Sequence, residues 1–440
     1  AAANAILDSG DNSELTIIDR NSNISYLGCG TALWIGRQIK GTDGLFYASK
    51  QALADKGARF FLETAADRID FGDKTVYATD KNGSAVVENY DKLILATGSL
   101  PIEPKIPGTK LENVFFVKLF QDGQAIDEAL NDPGVKNVAV VGAGYIGVEI
   151  AEAVKRRGKK AMLFEAADTS LSTYYDPWFT EDMDKNLSDH GIELHFGELI
   201  TAIEGSGKVS GVRTNKSAYD ADMVILSIGF RPNCELGKNS LKLFGNGAYM
   251  ADRRQLTSDP DVYAIGDCAT VWDNALGGAA YIALASNAVR SGVVAGRNAA
   301  LGQAGGQAGG QPAESPGVQG SNGICVFDYK MVSTGLNLAA AKKAGFDAAY
   351  AQREDLQKPA FIEENNYNVK LRIVYDKKSR RLLGAQMASY QDISMGIHMF
   401  SLAIAEGLTI EKLSLLDIFF LPHFNQPYNY ITMAALGAKE

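Results

Sequence analysis

The stretch VVGAGYIGVE, residues 140–149, decides the fold. It follows directly from the apolar run Asn137–Val141, leads into a helical run over Val148–Lys155, and is succeeded by a second apolar run, Ala161–Phe164. Unbroken apolar runs of this length read as strands buried on both faces, so the pattern is strand, glycine turn, helix, strand: the opening of a parallel βαβ unit. Gly142, Gly144 and Gly147 stand at GxGxxG spacing. The first glycine permits the tight turn, the second lets backbone approach a pyrophosphate, and the third lets helix and strand pack closely. Glu165 ends the next strand, 23 residues after Gly142, with no Arg in 166–175. An acid there accepts hydrogen bonds from an adenosine ribose and repels a 2′-phosphate, so NADH is expected over NADPH. The alternative is a glycine-rich turn that holds no ligand.

Outward from this unit, Met223–Ile228 predicts a further strand, broken by Gly229, Pro232 and Asn233. Upstream, Leu93–Leu95 runs into ATGS (96–99), and prolines at 101, 104 and 107 place a boundary near Gly108. Glu14–Asp19 reads as a short strand fed by a helix over Ala1–Leu7. A βαβ unit begins with a strand and a turn, so the chain is expected to start inside its first such unit. Asp19 then matches the place of Glu165, a solvated acid at a strand end being the alternative. Downstream, Val262–Ile265 predicts a strand ending in Gly266 and Asp267, and Tyr281–Asn298 a long helix. GQAGGQAGG (302–310) predicts a flexible surface linker. Beyond it, strands over Ile324–Phe327, Lys370–Tyr375 and Leu382–Met387 and helices over Met395–Glu406 and Ile410–Phe419 make an α+β unit of roughly 120 residues.

A chain of 440 residues, 46% hydrophobic and 22% charged, has the composition of a folded soluble protein. At about 100 to 200 residues per domain it holds two to four domains. Its 43 Lys and Arg against 52 Asp and Glu leave a net charge of −9, which disfavours nucleic acid or an anionic membrane as partner. The most apolar late stretch, Leu415–Phe424, is interrupted by Asp417 and Pro422 and is no membrane span. No signal-peptide pattern is read at the start, and a reducing cytoplasm is the expected compartment.

Four cysteines lie far apart, with no CxxC pair and no histidine at metal-ligand spacing, so neither a disulfide framework nor a metal site is expected. Cys29 differs from the others. It lies between glycines in NISYLGCGTALWIG, just before a helical stretch, where a helix dipole would lower its pKa and flanking glycines would let a cofactor approach. An inert buried cysteine is the alternative. Position 34, where a CxxxxC dithiol would place its second sulfur, is Trp34, so the thiol would cycle alone through a sulfenic acid or a mixed disulfide. Cys234, Cys268 and Cys325 read as structural. His190, His195 and His398 read as surface or core residues, and His423, in FFLPHFNQPYNY, as lining a pocket or an interface, core packing being the alternative.

The segments NISYLGCG, ILATGSLPIEPKIPG, VVGAGYIGVE, ILSIGFRPN, VYAIGDCA, YIALASNAVR, MVSTGL and PHFNQPYNYITMAA, in this order along nearly the whole chain, resemble the flavin-dependent pyridine nucleotide-disulfide oxidoreductases. Within them they resemble the branch of NADH oxidases, NADH peroxidases and CoA-disulfide reductases, GCGTALWIG and PHFNQPYNY being most similar to the oxidases. The resemblance implies an α/β fold with two Rossmann-like dinucleotide-binding domains, for FAD and NAD, plus a C-terminal α+β dimerisation domain. The expected division is FAD domain 1–107 and 236–318, NAD domain 108–235 and interface domain 319–440.

It further implies that FAD occupies the first unit, with Asp19 on the adenosine ribose and Ala66 beside the adenine. Ala96, Thr97, Gly98, Ser99 and Lys118 would lie near the flavin nucleotide, and Asp267 on the ribitol or pyrophosphate. Ala285, Ser286 and the partner subunit's Phe424 would lie by the isoalloxazine ring. For NADH it implies Ile146, Glu165, Tyr174, Gly229 and Leu284, with Gly323 approaching the nicotinamide. Cys29 matches the redox-active cysteine facing the flavin. The family's first strand, its FAD-binding glycine turn and the histidine of that turn would precede residue 1. The implied reaction takes two NADH and one dioxygen to two NAD and two waters in a homodimer with shared active sites. Alternatives are the peroxidase and CoA-disulfide reductase reactions or, in another class, a non-catalytic NAD-binding redox sensor.

Overall fold

The computed structural model describes residues 1–9, 13–301 and 311–438; the expected linker at 302–310 falls outside them. Asn137–Val141, the strand that enters the glycine turn, is the centre of a five-stranded parallel sheet whose order is Glu193–Phe196, Lys160–Glu165, Asn137–Val141, Met223–Leu226, Val114–Phe116. Side chains alternate across it. Val138, Val140, Ala161, Leu163, Met223 and Ile225 pack under the helices Phe120–Asn131, Tyr145–Arg156 and Pro177–Asp189. Ala139, Val141, Met162, Phe164, Val224 and Leu226 pack under an antiparallel meander, Ile200–Ser206, Lys208–Thr214 and Ala218–Asp220. Covering both faces is what a parallel sheet requires, and it explains why its strands read as continuous apolar runs. The boundary glycine Gly108 is held against this meander, where a Cβ would lie 2.0 Å from the Ile203 carbonyl oxygen.

The flanking unit is built from smaller pieces. Thr16–Ile18 pairs in parallel with Arg59–Phe61, and Val262–Ala264 with Leu93–Leu95. A second meander, Thr64–Asp70, Thr75–Asp80 and Ala85–Asn89, lies alongside. Helix Ala2–Leu7 packs on helix Ala285–Leu301 at Gly292 and Gly296. The C-terminal unit is a five-stranded antiparallel sheet, ordered Asn322–Val326, Tyr329–Gly335, Leu382–Ser389, Asn368–Asp376, Ala348–Leu356. Its wholly buried strand Leu382–Ser389 carries helix Ile397–Ala405, and helix Tyr430–Leu436 packs on Ala348–Leu356 and Asn368–Asp376.

Several boundaries differ from expectation. The glycine-turn helix begins at Tyr145, so Gly147 is already inside it. The long helix begins at Ala285, because Tyr281 is held outside it by its hydroxyl, which donates to the Asp267 carbonyl (2.9 Å). The strand Asn322–Val326 stops before Phe327, which together with Asp328 takes positive φ in a two-residue hairpin turn. The expected helix Ile410–Phe419 ends at Ser414. Leu415 is 84% and Phe419 65% exposed, so these apolar residues find no core within this chain to hold a helix against. No helix among the described residues is long and apolar enough to cross a membrane.

Candidate active site

The three glycines of the turn are required for different reasons. Gly142 takes φ +98°, and a Cβ there would lie 2.6 Å from the Ser227 carbonyl oxygen; at Gly147 a Cβ would lie 1.8 Å from the carbonyl oxygen of Gly142. Both are packing glycines. Gly144 caps the 12-residue helix Tyr145–Arg156, and a Cβ there would meet nothing within 4 Å. Open space before the unsatisfied amides of a helix N-terminus, with Ile146 in its first turn, fits a dinucleotide pyrophosphate. Glu165 accepts from the Ala143 N–H (2.8 Å) and the Ala167 N–H (3.0 Å), clamping the turn to the following loop. Each of its oxygens keeps acceptor capacity for a ribose hydroxyl. The Tyr174 ring, 39% exposed, stands 4.4 Å from that of Tyr145. The Tyr145 hydroxyl bonds to the Tyr175 hydroxyl (2.8 Å) and to the side-chain carbonyl of Asn322, beside Gly323. The Gly229 carbonyl accepts from the Ile102 N–H (3.0 Å).

Cys29 lies in the 3₁₀ turn Gly28–Gly30, which leads into the five-residue helix Thr31–Ile35. The Thr31 hydroxyl donates to the Gly28 carbonyl (2.7 Å) and meets the Tyr26 hydroxyl (2.5 Å), while a Cβ at Gly30 would lie 2.2 Å from the Leu45 side chain. Behind the turn, the rings of Tyr26, Phe46, Phe120 and Trp34 pack at 5.1–5.7 Å. Trp34 is buried there, against Gly123. The place of a second sulfur is therefore filled by a packing residue, and Cys29 is a lone, accessible thiol.

Residues from distant parts of the chain converge on it. The Lys118 ammonium donates to the Ser99 hydroxyl (2.8 Å) and to the Asp267 carboxylate (2.9 Å), and the Ser99 hydroxyl donates to the same carboxylate (2.9 Å). Both Lys118 and Asp267 act electrostatically on the Cys29 thiol. Ala96–Ser99 is tied down from the other side: the Thr97 hydroxyl donates to the Asn233 carbonyl (2.5 Å), and the Asn233 N–H donates to the Gly98 carbonyl (2.9 Å). The Gly266 N–H donates to the Ser291 hydroxyl (3.2 Å), which sets the Asp267 turn on the helix that Leu284, Ala285 and Ser286 open.

The expected depressed thiol pKa is not found. Desolvation by partial burial pushes the Cys29 thiol up, the Glu149 carboxyl raises it further, Asp267 adds to this, and Lys118 opposes it. A five-residue helix does not offset two carboxylates. Glu149 is the residue that sequence reading passed over. It sits one turn into the glycine-turn helix, and burial, reinforced by Glu152, lifts its carboxyl to about 7.

The other predicted positions lie further out. The Asp19 carboxylate accepts from the Asn21 N–H (2.8 Å) and its side-chain amide (3.0 Å). Next to it opens a cleft of about 510 Å³ lined by Arg20, Asn21, Ser22, Glu63, Ala65 and Leu119, with Ala66 adjacent on its strand. Phe424 is exposed in the C-terminal stretch, its ring 5.8 Å from that of Phe419, and His423 beside it is exposed too. Cys234 and Cys268 are buried, burial pushing the Cys234 thiol up to about 12. Cys325, expected to be structural, is instead exposed, on the edge strand opposite Lys330. His190 and His195 stack on Phe327 and Phe164 as packing residues.

Comparison with known proteins gives the family. The model of the pyridine nucleotide-disulphide oxidoreductase family matches residues 1–292, and that of the family's dimerisation domain matches residues 321–429. An NADH oxidase of Lactococcus lactis subsp. cremoris is 55% identical over 442 residues, covering 100% of this chain and 97% of the relative. An NADH oxidase of Enterococcus faecalis is 38% identical, covering 100% and 97%. Among solved structures, the water-forming NADH oxidase of Lactobacillus brevis superposes with a TM-score of 0.93 at 36% identity, covering 99% of this chain and 94% of that one. With the glycine turn, the Lys118–Ser99–Asp267 cluster and the lone thiol in place, the chain belongs to the pyridine nucleotide-disulphide oxidoreductase family.

Proposed function

We infer that the protein is an FAD-dependent NADH oxidase that reduces dioxygen to water with Cys29 as its single redox-active thiol. The observation that carries the reading is the lone accessible sulfur beside the Lys118–Ser99–Asp267 cluster, with Trp34 buried where a dithiol would need its second cysteine. The full-length likeness to NADH oxidases supports it. FAD would be held by Asp19 and Ala66 at the adenosine end, by Ala96–Ser99, Lys118 and Asp267 around the Cys29 turn, and by Ala285, Ser286 and the partner subunit's Phe424 at the ring. Gly144, Ile146, Glu165, Tyr174, Gly229, Leu284 and Gly323 would take NADH, with Gly142 and Gly147 shaping the turn that presents Gly144.

Bound FAD supplies hydride acceptance from NADH and electron delivery to dioxygen. This chain's residues orient the partners and handle the peroxide. The Cys29 thiolate attacks hydrogen peroxide: an S–O bond forms, the O–O bond breaks and hydroxide leaves. The resulting sulfenic acid returns to thiolate and water with a hydride equivalent from a second NADH. The domain division would be 1–107 with 236–318 for FAD, 108–235 for NAD and 319–440 for the interface. The exposed run Leu415, Phe419, Phe420, Leu421, Phe424 and Tyr428 would be covered by a second copy, making a homodimer with shared sites. A cytoplasmic location accords with four unpaired cysteines.

An oxygen electrode tests the reading. Purified flavoprotein with NADH should take up oxygen at half the rate of NADH loss and release no peroxide. Dependence on added peroxide or CoA disulfide would assign a different reaction, and a colourless protein that binds NAD without turnover would make it a sensor.

A further inference from the structure

The turn that carries Tyr174 is held from two sides. On one, the Leu171 N–H donates to the Ala143 carbonyl (2.8 Å) within the glycine turn. Leu171 is buried with φ +53°, and its carbonyl accepts from the N–H groups of Tyr174 (2.9 Å) and Tyr175 (3.1 Å). A leucine in the left-handed region carries a conformational cost and persists only where its surroundings fix it. On the other side those surroundings are the C-terminal unit. Gln386, 1% exposed on the strand Leu382–Ser389, makes a reciprocal pair with Asp176. Its side-chain carbonyl accepts from the Asp176 N–H, and its amide donates to the Asp176 carboxylate, both at 2.8 Å. Asp176 stands at the N-cap of helix Pro177–Asp189 yet makes no side-chain cap bond to it. Its carboxylate is turned to Gln386 and Arg372 instead. One step back along the turn, the Asn337 side-chain amide donates to the Thr173 carbonyl (3.3 Å).

We propose that Gln386 is a positioning residue for NADH, holding by its pair with Asp176 the turn that presents Tyr174, and that Asn337 is a second hold on the same turn. The proposal rests on the NADH site given above and adds to it two residues of the C-terminal unit. The exposed Tyr174 ring leans on Tyr145, and the backbone that aims it is the short stretch from Leu171 to Asp176. Two buried hydrogen bonds at the end of that stretch leave it one arrangement. Without them the left-handed Leu171 is free to relax, and the ring moves with it. Affinity for NADH then falls by the fraction of molecules that keep the competent turn. The seat of Gln386 is rigid, since its strand is wholly buried and pairs on both sides, with Arg372 and Ser333 directly opposite Gln386. Arg372 balances the charge of Asp176, while Gln386 fixes its place, so stability and positioning fall to different side chains.

The test mixes flavin-loaded protein with NADH in the absence of oxygen and follows the bleaching of the flavin. No oxygen chemistry enters, so the result is independent of the oxidase reading. Gln386→Met, similar in size but without the amide, should raise the NADH concentration for half-maximal rate about tenfold, as when one molecule in ten keeps the competent turn. The limiting rate and the FAD content should not change. Amide hydrogen exchange of the peptide 169–176, measured without NADH, should quicken in the same variant. Arg372→Ala leaves both Gln386 bonds in place but unbalances Asp176, so it should melt earlier and still take NADH like wild type. An unchanged half-maximal concentration in Gln386→Met overturns the proposal alone, as does an equal rise in Arg372→Ala, which would mark general loosening. Wild type whose flavin NADH does not bleach overturns the NADH site and the proposal with it. Should Gln386→Met not fold, Asn337→Ser decides, since it keeps a cap for helix Leu338–Lys343 and loses the donor to Thr173. A rise of about twofold there upholds the proposal, and no rise overturns it.

Discussion

Gly144 and Gly147 stand three residues apart in one motif, and what surrounds them separates their roles. A Cβ on Gly147 would run into backbone at 1.8 Å, which neither side can yield. Gly147→Ala should therefore destabilise the fold by about 3 kcal/mol, the upper part of the usual overpacking range, seen as a drop in Tm. Gly144→Ala places its methyl in open space on ordinary helix-cap backbone and should leave Tm nearly unchanged. It should instead raise the KM for NADH about tenfold, roughly the worth of one charge-assisted hydrogen bond from a backbone amide to the phosphate. A Gly144→Ala variant that melts early, or one with unaltered KM, would contradict the assignment. Spacing alone names all three glycines but cannot tell a packing glycine from a binding one, since the difference lies in the Ser227 carbonyl and the empty space opposite. The same limit applies to Glu149: its place in the helix is legible, whereas its burial and its electrostatic effect on Cys29 depend on a helix more than a hundred residues away.

Elements were legible where their burial is two-sided. The parallel strands Asn137–Val141, Lys160–Glu165 and Met223–Leu226 read directly as apolar runs. The two meanders, Thr64–Asn89 and Ile200–Asp220, left no such trace, because strands such as Ala85–Asn89 are half exposed and mix polar with apolar residues. The stretch after Ser414 misled in the opposite sense, Leu415, Phe419 and Phe420 facing solvent in the single chain. Between elements, helix Pro177–Asp189 is fastened to the C-terminal sheet by a buried network. The Arg372 guanidinium pairs with the Asp176 carboxylate (3.1 Å), and the Gln386 amide donates to the same carboxylate (2.8 Å). Removing one partner leaves a buried charge uncompensated, so Arg372→Ala should cost about 3–5 kcal/mol, measurable by denaturant unfolding. A loss under about 1 kcal/mol would mean that water reaches the pair.

At the scale of the molecule, the glycine-turn sheet, the Asp267 turn and the Cys29 turn come from three separate stretches of chain, and their convergence makes the chemistry intelligible. Lys118 joins Ser99 to Asp267, Thr97 joins Asn233, and Tyr145 reaches Asn322 in the C-terminal sheet. The family resemblance brought Thr97, Ser99, Lys118 and Asp267 to one site, but it announced neither Asn233, Tyr145 and Asn322 as partners nor the electrostatic outcome. The thiol, expected to be acidic, is held up by burial and by Glu149. The account turns on that sulfur, and peroxide release by Cys29→Ser measures its role most directly. The variant should bind FAD, oxidise NADH and release close to one hydrogen peroxide per NADH, where wild type releases none. Continued formation of water without peroxide by Cys29→Ser would remove the thiol from the reaction.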